Sequence, residues 1–156
     1  MKKPALLVPG VCVLALLSAG CFTHHPGSAG VRLHIVSSPR LNVDERGYAH
    51  PVEVRIYILN SPDAFQNNKS SSLWENGGTI LDGDVLWQKQ ITVFPSRQAR
   101  LVLPREAGLP AAFLGIVADY INPRANQNKY LVTLGKGRSF MLKLEPRHLS
   151  LEANLE

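Results

Sequence analysis

Residues 52–58 read Val52-Glu53-Val54-Arg55-Ile56-Tyr57-Ile58, a stretch in which an aliphatic side chain stands at every second place. Alternation with a period of two indicates a strand that is buried on one face. Outward from this stretch, seven further segments are typical of short strands: 31–35, 85–94, 100–103, 112–120, 130–134, 140–144 and 148–151. Short strands at such spacing, separated by turn residues, predict an all-β protein built as a β-sandwich of about 7–8 strands.

A segment between the second and third strands departs from this pattern. Ser61-Pro62-Asp63 predicts the start of a short helix, with Ser61 as the N-cap and Pro62 at the first helical position. Residues 70–74 predict a second short helix, ended by Asn76-Gly77-Gly78. The side chains expected to dock this helical insertion onto a sheet are Phe65, Leu73 and Trp74. For Trp74, packing is favoured over a role as a partner's hot spot.

Length and charge narrow the possible functions. The chain has 156 residues, enough for one domain, and 45% of them are hydrophobic. Its net charge is +5, and without Lys2 and Lys3 the balance is 15 basic against 12 acidic residues. These basic residues are scattered, which argues against nucleic acid as a partner. Beyond residue 20 no apolar stretch reaches the length of about 18 residues that a membrane-spanning helix needs.

The first twenty residues have the pattern of a signal peptide. Lys2 and Lys3 form a positive start, and an apolar stretch and three small residues follow. The junction Leu17-Ser18-Ala19-Gly20-Cys21 resembles the lipobox of bacterial lipoproteins, with the leucine one place earlier than usual. The resemblance implies cleavage between Gly20 and Cys21, a diacylglycerol thioether on the Cys21 sulfur and an N-acyl lipid. Two or three acyl chains hold a protein firmly on a membrane.

Residues 21–30 are predicted to be a lipidated tether, because they lack periodicity and contain three chain-breaking residues. The nine residues that follow Cys21 reach at most about 30 Å, so the predicted domain at 31–156 should lie close to the membrane. Phe22, rather than Asp, follows Cys21, which resembles the sorting signal of an outer-membrane lipoprotein. His24-His25 lacks further ligands and is not interpreted as a metal site.

The sequence contains no pattern typical of catalysis. It has no Gly-x-Ser-x-Gly elbow and no His-Glu-x-x-His pair. Asp82 and Asp84 flank Gly83 and are interpreted as a turn, and residues 135–138 as a hairpin turn instead of a phosphate loop. We therefore expect no enzyme activity, no metal, no small-molecule substrate and no cofactor other than the covalent lipid.

The order of these features resembles the type VI secretion lipoprotein family, known as TssJ or SciN. Five segments carry the resemblance: the lipobox at Cys21, Leu41-Asn42-Val43-Asp44 with Gly47, Pro51 to Leu59 with Phe65, Leu81-Asp82-Gly83-Asp84-Val85-Leu86 with Phe94-Pro95, and Leu114-Gly115-Ile116-Val117-Ala118. Two places depart from the family pattern, at Asp119-Tyr120-Ile121 and at Lys129-Tyr130.

The resemblance implies a fold, a location and a partner. The fold would be a transthyretin-like β-sandwich of two antiparallel sheets with a small helical insertion. The location would be the periplasmic face of the outer membrane, through the lipid anchor. The partner would be the periplasmic C-terminal domain of the inner-membrane protein TssM, which forms a membrane complex with TssL. The family has no known catalysis.

The connection from Ser37 to Pro51 is the candidate contact with this partner. It is longer than the two to five residues usual for a hairpin, and long loops on rigid scaffolds tend to carry function. The predicted partner-binding loop contains Arg40, Leu41, Asn42, Val43, Asp44, Glu45, Arg46 and Tyr48. A second interpretation is an ordered turn, in which Asn42 and Asp44 bond their own backbone and Leu41 packs in the core.

Two other classes of function stay open. One is another outer-membrane lipoprotein with a sandwich domain, acting as a pilotin or an assembly factor. The other is a small-ligand binder or hydrolase on a transthyretin-like scaffold, which would need a pocket with convergent polar groups. The sequence offers no residues from which to build that pocket.

Overall fold

The computed structural model describes residues 30–104, 112–135 and 139–154. Eight strands and two helices follow one another along these residues. The strands are β1 (Val31–Ser37), β2 (Val52–Leu59), β3 (Val85–Val93), β4 (Gln98–Leu103), β5 (Phe113–Asp119), β6 (Lys129–Thr133), β7 (Ser139–Leu144) and β8 (Leu149–Asn154), and the helices are α1 (Asp63–Asn67) and α2 (Ser70–Ile80). All eight predicted strands are confirmed.

The strands form two sheets of four. Sheet A has the order β4-β1-β7-β8, and sheet B has the order β3-β2-β5-β6. The predicted all-β sandwich is confirmed, but the prediction that both sheets are antiparallel is wrong for one pair. β1 runs parallel to β7, with Leu33 beside Phe140, so sheet A is mixed. Alternation within a strand carries no information about the direction of its neighbour, and parallel strands far apart in the chain need no hairpin between them.

The main core lies between the two sheets. The alternating side chains of β2 that the sequence predicts to be buried, Val52, Val54, Ile56 and Ile58, are all in it. Across from them lie Val31, Leu33 and Ile35 of β1 and the apolar side chains of β7 and β8. Burying one face of each strand in this way fixes the register, since a shift by one residue would turn the apolar side chains outward.

A second, smaller core covers the other face of sheet B. Its buried members are Tyr57, Leu59, Phe65, Leu73, Leu81 and Val117. The rings of Tyr57 and Phe65 meet edge to face, with centroids 6.1 Å apart. The centre of sheet B is therefore buried on both faces, by sheet A on one side and by the helices on the other, which explains why β5 is nearly all apolar.

The helical insertion differs from its prediction at two points. Pro62, and not Ser61, occupies the N-cap position of α1. The backbone of α2 is non-helical at Asn76 (φ −128°, ψ 21°), where the predicted end falls, but a further helical segment follows and reaches Ile80. The helix continues there because Gly77 is buried against the Tyr57 hydroxyl and Leu81 packs into the second core. Packing therefore outweighs the low helix propensity of the two glycines.

Trp74 packs at the edge of this second core, as predicted. The Arg55 guanidinium lies 4.1 Å from the centroid of its indole ring. Arg55 Nη1 also donates a hydrogen bond to the Trp74 carbonyl at 2.6 Å. The cation–π contact and the hydrogen bond together hold α2 against β2.

The directions of the strands give the sandwich two distinct ends. β1, β3, β5 and β7 all finish at one end, which we call the loop end, and it consists of residues 38–51, 94–97, 120–128 and 145–148. Gly30 and the start of β1 lie at the opposite end, beside Leu103. A seven-residue strand such as β1 spans about 20 Å, which is the distance that separates the two ends.

Candidate functional site: the loop between the first two strands

The β1–β2 loop, residues 38–51, is tied to the rest of the loop end at its base. The buried Ser37 Oγ donates a hydrogen bond to the Phe94 carbonyl at 2.7 Å and accepts one from the Arg97 N–H at 2.8 Å. The Val43 N–H donates to the Pro146 carbonyl at 3.2 Å. These bonds hold the loop against the β3–β4 and β7–β8 turns.

Three of the predicted contact residues, Leu41, Asn42 and Val43, are buried. Asn42 has a left-handed backbone, with φ 50°, a conformation that asparagine tolerates better than most residues. Its Nδ2 donates to the Pro51 carbonyl at 2.6 Å, and its Oδ1 accepts from the Ile121 N–H at 2.8 Å. The side chains of these three residues therefore build the loop and are not available to a partner.

Asp44 closes the outer half of the loop as a turn. Its Oδ1 accepts hydrogen bonds from the Arg46 and Tyr48 N–H groups, both at 2.9 Å, and its Oδ2 lies 3.1 Å from His50 Nε2. The hydrogen bond to His50, followed by that from Tyr48, holds the pKa of Asp44 below its usual range. Gly47 provides the left-handed residue of this turn, with φ 84°. The interpretation as an ordered turn thus holds for Asp44, which bonds nearby backbone, and for Leu41, which is buried. Asn42 instead bonds the backbone of Pro51 and Ile121, farther along the chain.

The outer half of the loop carries the side chains that a partner can reach. Arg40, Glu45, Arg46 and Tyr48 are exposed, and Tyr48 retains 66% of its accessible surface. An aromatic ring held at this exposure by an ordered turn is a ready anchor for a partner's pocket. Four of the eight predicted contact residues can therefore act as contacts, and the other four hold them in place.

Two exposed apolar side chains at the same end were absent from the sequence prediction. Phe94 and Ile121 keep 54% and 52% of their accessible surface, and the bonds from Ser37 and Asn42 bring their backbones to the β1–β2 loop. The sequence feature that could have indicated an exposed Phe94 is its position before Pro95 in a turn. No sequence feature indicates Ile121, because its position beside the loop depends on the hydrogen bond between its backbone N–H and Asn42.

The described residues offer little to other kinds of site. Among them no three His, Cys, Asp or Glu side chains are grouped to hold a metal ion, and no helix is long and apolar enough to cross a membrane. Asp82 and Asp84 flank Gly83 in a turn, as predicted, and Asp84 donates its N–H to the Leu81 carbonyl. The predictions for the signal peptide at 1–20, for Cys21 and the tether up to residue 29, and for the turn at 136–138 lie outside the described residues.

The chain is thus a β-sandwich with one face covered by helices and an ordered, exposed loop at one end, a rigid scaffold of the kind on which surface loops carry function. The chain belongs to the family of type VI secretion lipoproteins. The family model described as "Type VI secretion lipoprotein, VasD, EvfM, TssJ, VC_A0113" matches residues 29–154. Family membership indicates a membrane-associated protein, and the family is not one of enzymes. Among curated proteins no sequence matches the chain.

Solved structures with the same fold come from type VI secretion systems. The lipoprotein TssJ1 from Pseudomonas aeruginosa is 23% identical, with a TM-score of 0.65 over 81% of this chain and 98% of that chain. A chain in the structure described as "T6SS protein TssM C-terminal domain (869-1107) from EAEC" is 24% identical, with a TM-score of 0.67 over 78% of this chain and 99% of that chain. A chain in the "Type VI membrane complex" is 23% identical, with a TM-score of 0.68 over 80% and 98%. At these identities the likeness shows the shared fold.

Proposed function

We propose that this protein is an outer-membrane lipoprotein that anchors the type VI membrane complex by binding the periplasmic C-terminal domain of TssM. In this proposal Cys21 carries the diacylglycerol and the N-acyl lipid after cleavage behind Gly20. The exposed side chains of the β1–β2 loop form the contact, and TssL belongs to the same complex. The protein acts by binding alone, without a catalytic step, a metal or a small-molecule substrate.

The observation that carries this proposal is the placing of an ordered, exposed loop at the end of the sandwich opposite to the chain's start. β1 begins at Val31, directly after the predicted tether, and ends at Ser37, where the β1–β2 loop begins. A lipid at Cys21 would hold the start of β1 near the bilayer, since the tether reaches at most about 30 Å. The loop would then point from the outer membrane into the periplasm, toward a partner anchored in the inner membrane.

Two of the comparisons support this partner. The structures described as the TssM C-terminal domain and as the type VI membrane complex each contain a chain that shares this fold over nearly its whole length. The fold is thus present in structures named for TssM and for its complex. The outer-membrane location is supported by Phe22 in the place where an inner-membrane lipoprotein would have Asp.

Binding would be tested with the full chain, purified in detergent, and the TssM periplasmic domain. Arg40→Glu combined with Tyr48→Ala removes two exposed contacts, and we expect at least a tenfold loss of affinity in calorimetry with unchanged thermal unfolding. Arg100→Glu combined with Val102→Ala changes two exposed residues on β4 and serves as the control. Unchanged affinity of the loop variant would remove the loop from the interface.

Lipidation has its own test. Metabolic labelling with a fatty-acid probe should label the wild-type chain and not a Cys21→Ser variant, and the label should fractionate with the outer membrane. An unlabelled wild-type chain would contradict the anchor. Capture of a secretin or another envelope assembly, with no TssM retained from solubilised envelopes, would favour the pilotin or assembly factor over the proposed role.

A further inference from the structure

The loop end is strongly asymmetric in its exposed charges. Among the described residues, its exposed charged side chains are five arginines and one glutamate: Arg40, Arg46, Arg97, Arg124, Arg147 and Glu45. On the rest of the described surface the exposed charges are balanced, four basic against five acidic: Arg32, Lys69, Lys89 and Arg100, with Asp63, Glu75, Asp82, Asp119 and Glu152. The excess of exposed positive charge on the described surface is therefore gathered at the loop end.

These five arginines are not neutralised within the described part of the chain. In that part, the side chains paired at 4.0 Å or less are Asp44 with His50 and Lys143 with Glu152. No carboxylate there lies that close to the guanidinium group of any of the five arginines. Asp44 and Glu145 are acidic groups of the same end, and both are partly buried. Asp119 borders it at the end of β5 and is electrostatically coupled to Arg55.

The loop end also carries exposed apolar side chains. Of the five large hydrophobic residues that are exposed in the described ranges, three belong to the loop end, namely Tyr48, Phe94 and Ile121. Each comes from a different loop, and the buried Ser37 and Asn42 tie those loops together. Aromatic and aliphatic anchors within a rim of arginines are the composition typical of protein interfaces, where guanidinium groups pair bidentately with carboxylates.

The position of this surface favours a protein over a lipid bilayer as the occupant. The loop end is about one strand length, or about 20 Å, beyond the end at which the chain enters the fold. With a lipid at Cys21, the entry end is the part of the domain nearest to the point of attachment, and the arginines lie at the end farthest from it. An anionic membrane is therefore the less suitable source of the matching negative charge.

We propose that the whole loop end, and not the β1–β2 loop alone, docks onto an acidic patch of the partner protein. In this interface Arg97, Arg124 and Arg147 pair with carboxylates of the partner, while Tyr48, Phe94 and Ile121 fill apolar pockets between them. The inference deepens the proposed function, on which it rests, by defining the chemistry of the TssM surface that this end contacts.

The test reverses charges outside the β1–β2 loop. The variant Arg97→Glu, Arg124→Glu, Arg147→Glu is compared with a matched control, Lys69→Glu, Lys89→Glu, Arg100→Glu, which changes the net charge equally on the rest of the surface. Affinity of the full chain for the TssM periplasmic domain is measured by calorimetry at 50 and 500 mM NaCl, and thermal unfolding verifies the fold. We expect a loss of about 100-fold for the first variant at low salt and less than about threefold for the control.

Salt adds a second readout. Wild-type affinity should fall about tenfold or more between the two salt concentrations, and the affinity of the first variant should change far less. Equal affinities of the two triple variants would overturn the inference, and the proposed function would survive if Arg40→Glu with Tyr48→Ala still weakened binding. Absence of wild-type binding would instead overturn the proposed function. Arginine-dependent sedimentation with phosphatidylglycerol vesicles, with TssM binding unaffected, would assign the loop end to a membrane and also overturn the inference.

Discussion

The side-chain Oδ1 of Asn42 accepts a hydrogen bond from the backbone N–H of Ile121 at 2.8 Å, across 79 residues of sequence. The Nδ2 of the same amide donates to the Pro51 carbonyl at 2.6 Å. One buried side chain therefore closes residues 42–51 of the β1–β2 loop and fixes this loop to the β5–β6 loop. The exposed Tyr48 and Ile121 consequently keep a defined separation, as a docking surface requires.

Replacing Asn42 should loosen this arrangement. Asn42→Ala leaves the Pro51 carbonyl and the Ile121 N–H without their partner and places alanine in a left-handed backbone, so we expect a loss of about 2–4 kcal/mol in the free energy of unfolding. Urea denaturation measures it. Asn126→Ala is the control, since Asn126 has a similar φ of 58° but is exposed. A loss of similar size in the control would assign the effect to backbone strain alone.

Gly115 is required by the approach of α1 to sheet B. A Cβ at this position would lie 2.9 Å from Phe65 Cε2 and 3.2 Å from Leu59 Cδ1. We expect Gly115→Ala to destabilise the fold by about 1–3 kcal/mol in urea denaturation, because the ring must move. Adding Phe65→Leu should recover part of that loss relative to Phe65→Leu alone. Gly78→Ala, on an open face of α2, should be neutral or slightly stabilising.

Lys129, at the start of β6 in sheet B, caps the C-terminal end of α1. Its Nζ donates hydrogen bonds to the carbonyls of Phe65 and Gln66, each at 3.0 Å, and to that of Asn68. Burial lowers the pKa of this ammonium, but the three carbonyls favour its charged form. Lys129→Met should cost about 1–3 kcal/mol in urea denaturation, because these carbonyls lose their donor. The exposed Lys69→Met is the control, and equal effects would contradict a bonding role.

The order of the β1–β2 loop should depend on pH through Asp44. The pKa of Asp44 is lower in the folded protein than the unperturbed 3.8, so its stabilising effect is present above 3.8 and is lost as the pH falls through the folded value. We expect the amide resonances of Arg46 and Tyr48 to titrate together with a midpoint below 3.8. Asp44→Asn should abolish that transition and speed hydrogen exchange of both amides. A midpoint above 3.8 would contradict the hydrogen bonds described here.

Strand positions follow from the sequence because alternation is a local property. In β2 an apolar side chain stands at every second place, and β5 is nearly all apolar, so each segment is recognised as a strand from its own residues. The parallel pairing of β1 with β7 is a non-local choice, made by the packing of the whole sandwich. The length of α2 escaped prediction for a similar reason, because the contact of Gly77 with Tyr57 compensates for a weak helical sequence.

Prediction of the candidate site was limited in the same way. The length and composition of the segment from Ser37 to Pro51 identified the loop, and the family resemblance gave it a partner. Which of its residues face outward depends on Asn42, whose bond to Ile121 joins distant parts of the chain. The arginines at 97, 124 and 147 are scattered in sequence, and only the shared direction of the strands places them at one end.

The parallel pairing of β1 with β7 also has a kinetic consequence. β1 is made early in the synthesis of the domain, yet its parallel neighbour follows about a hundred residues later. β2, β3, β5 and β6 can assemble sheet B meanwhile, because they lie between these two strands in sequence. The pairing of β1 with β7 therefore carries the entropic cost of a long loop, and until it forms, the edge of β1 opposite to β4 stays open to pairing with other chains.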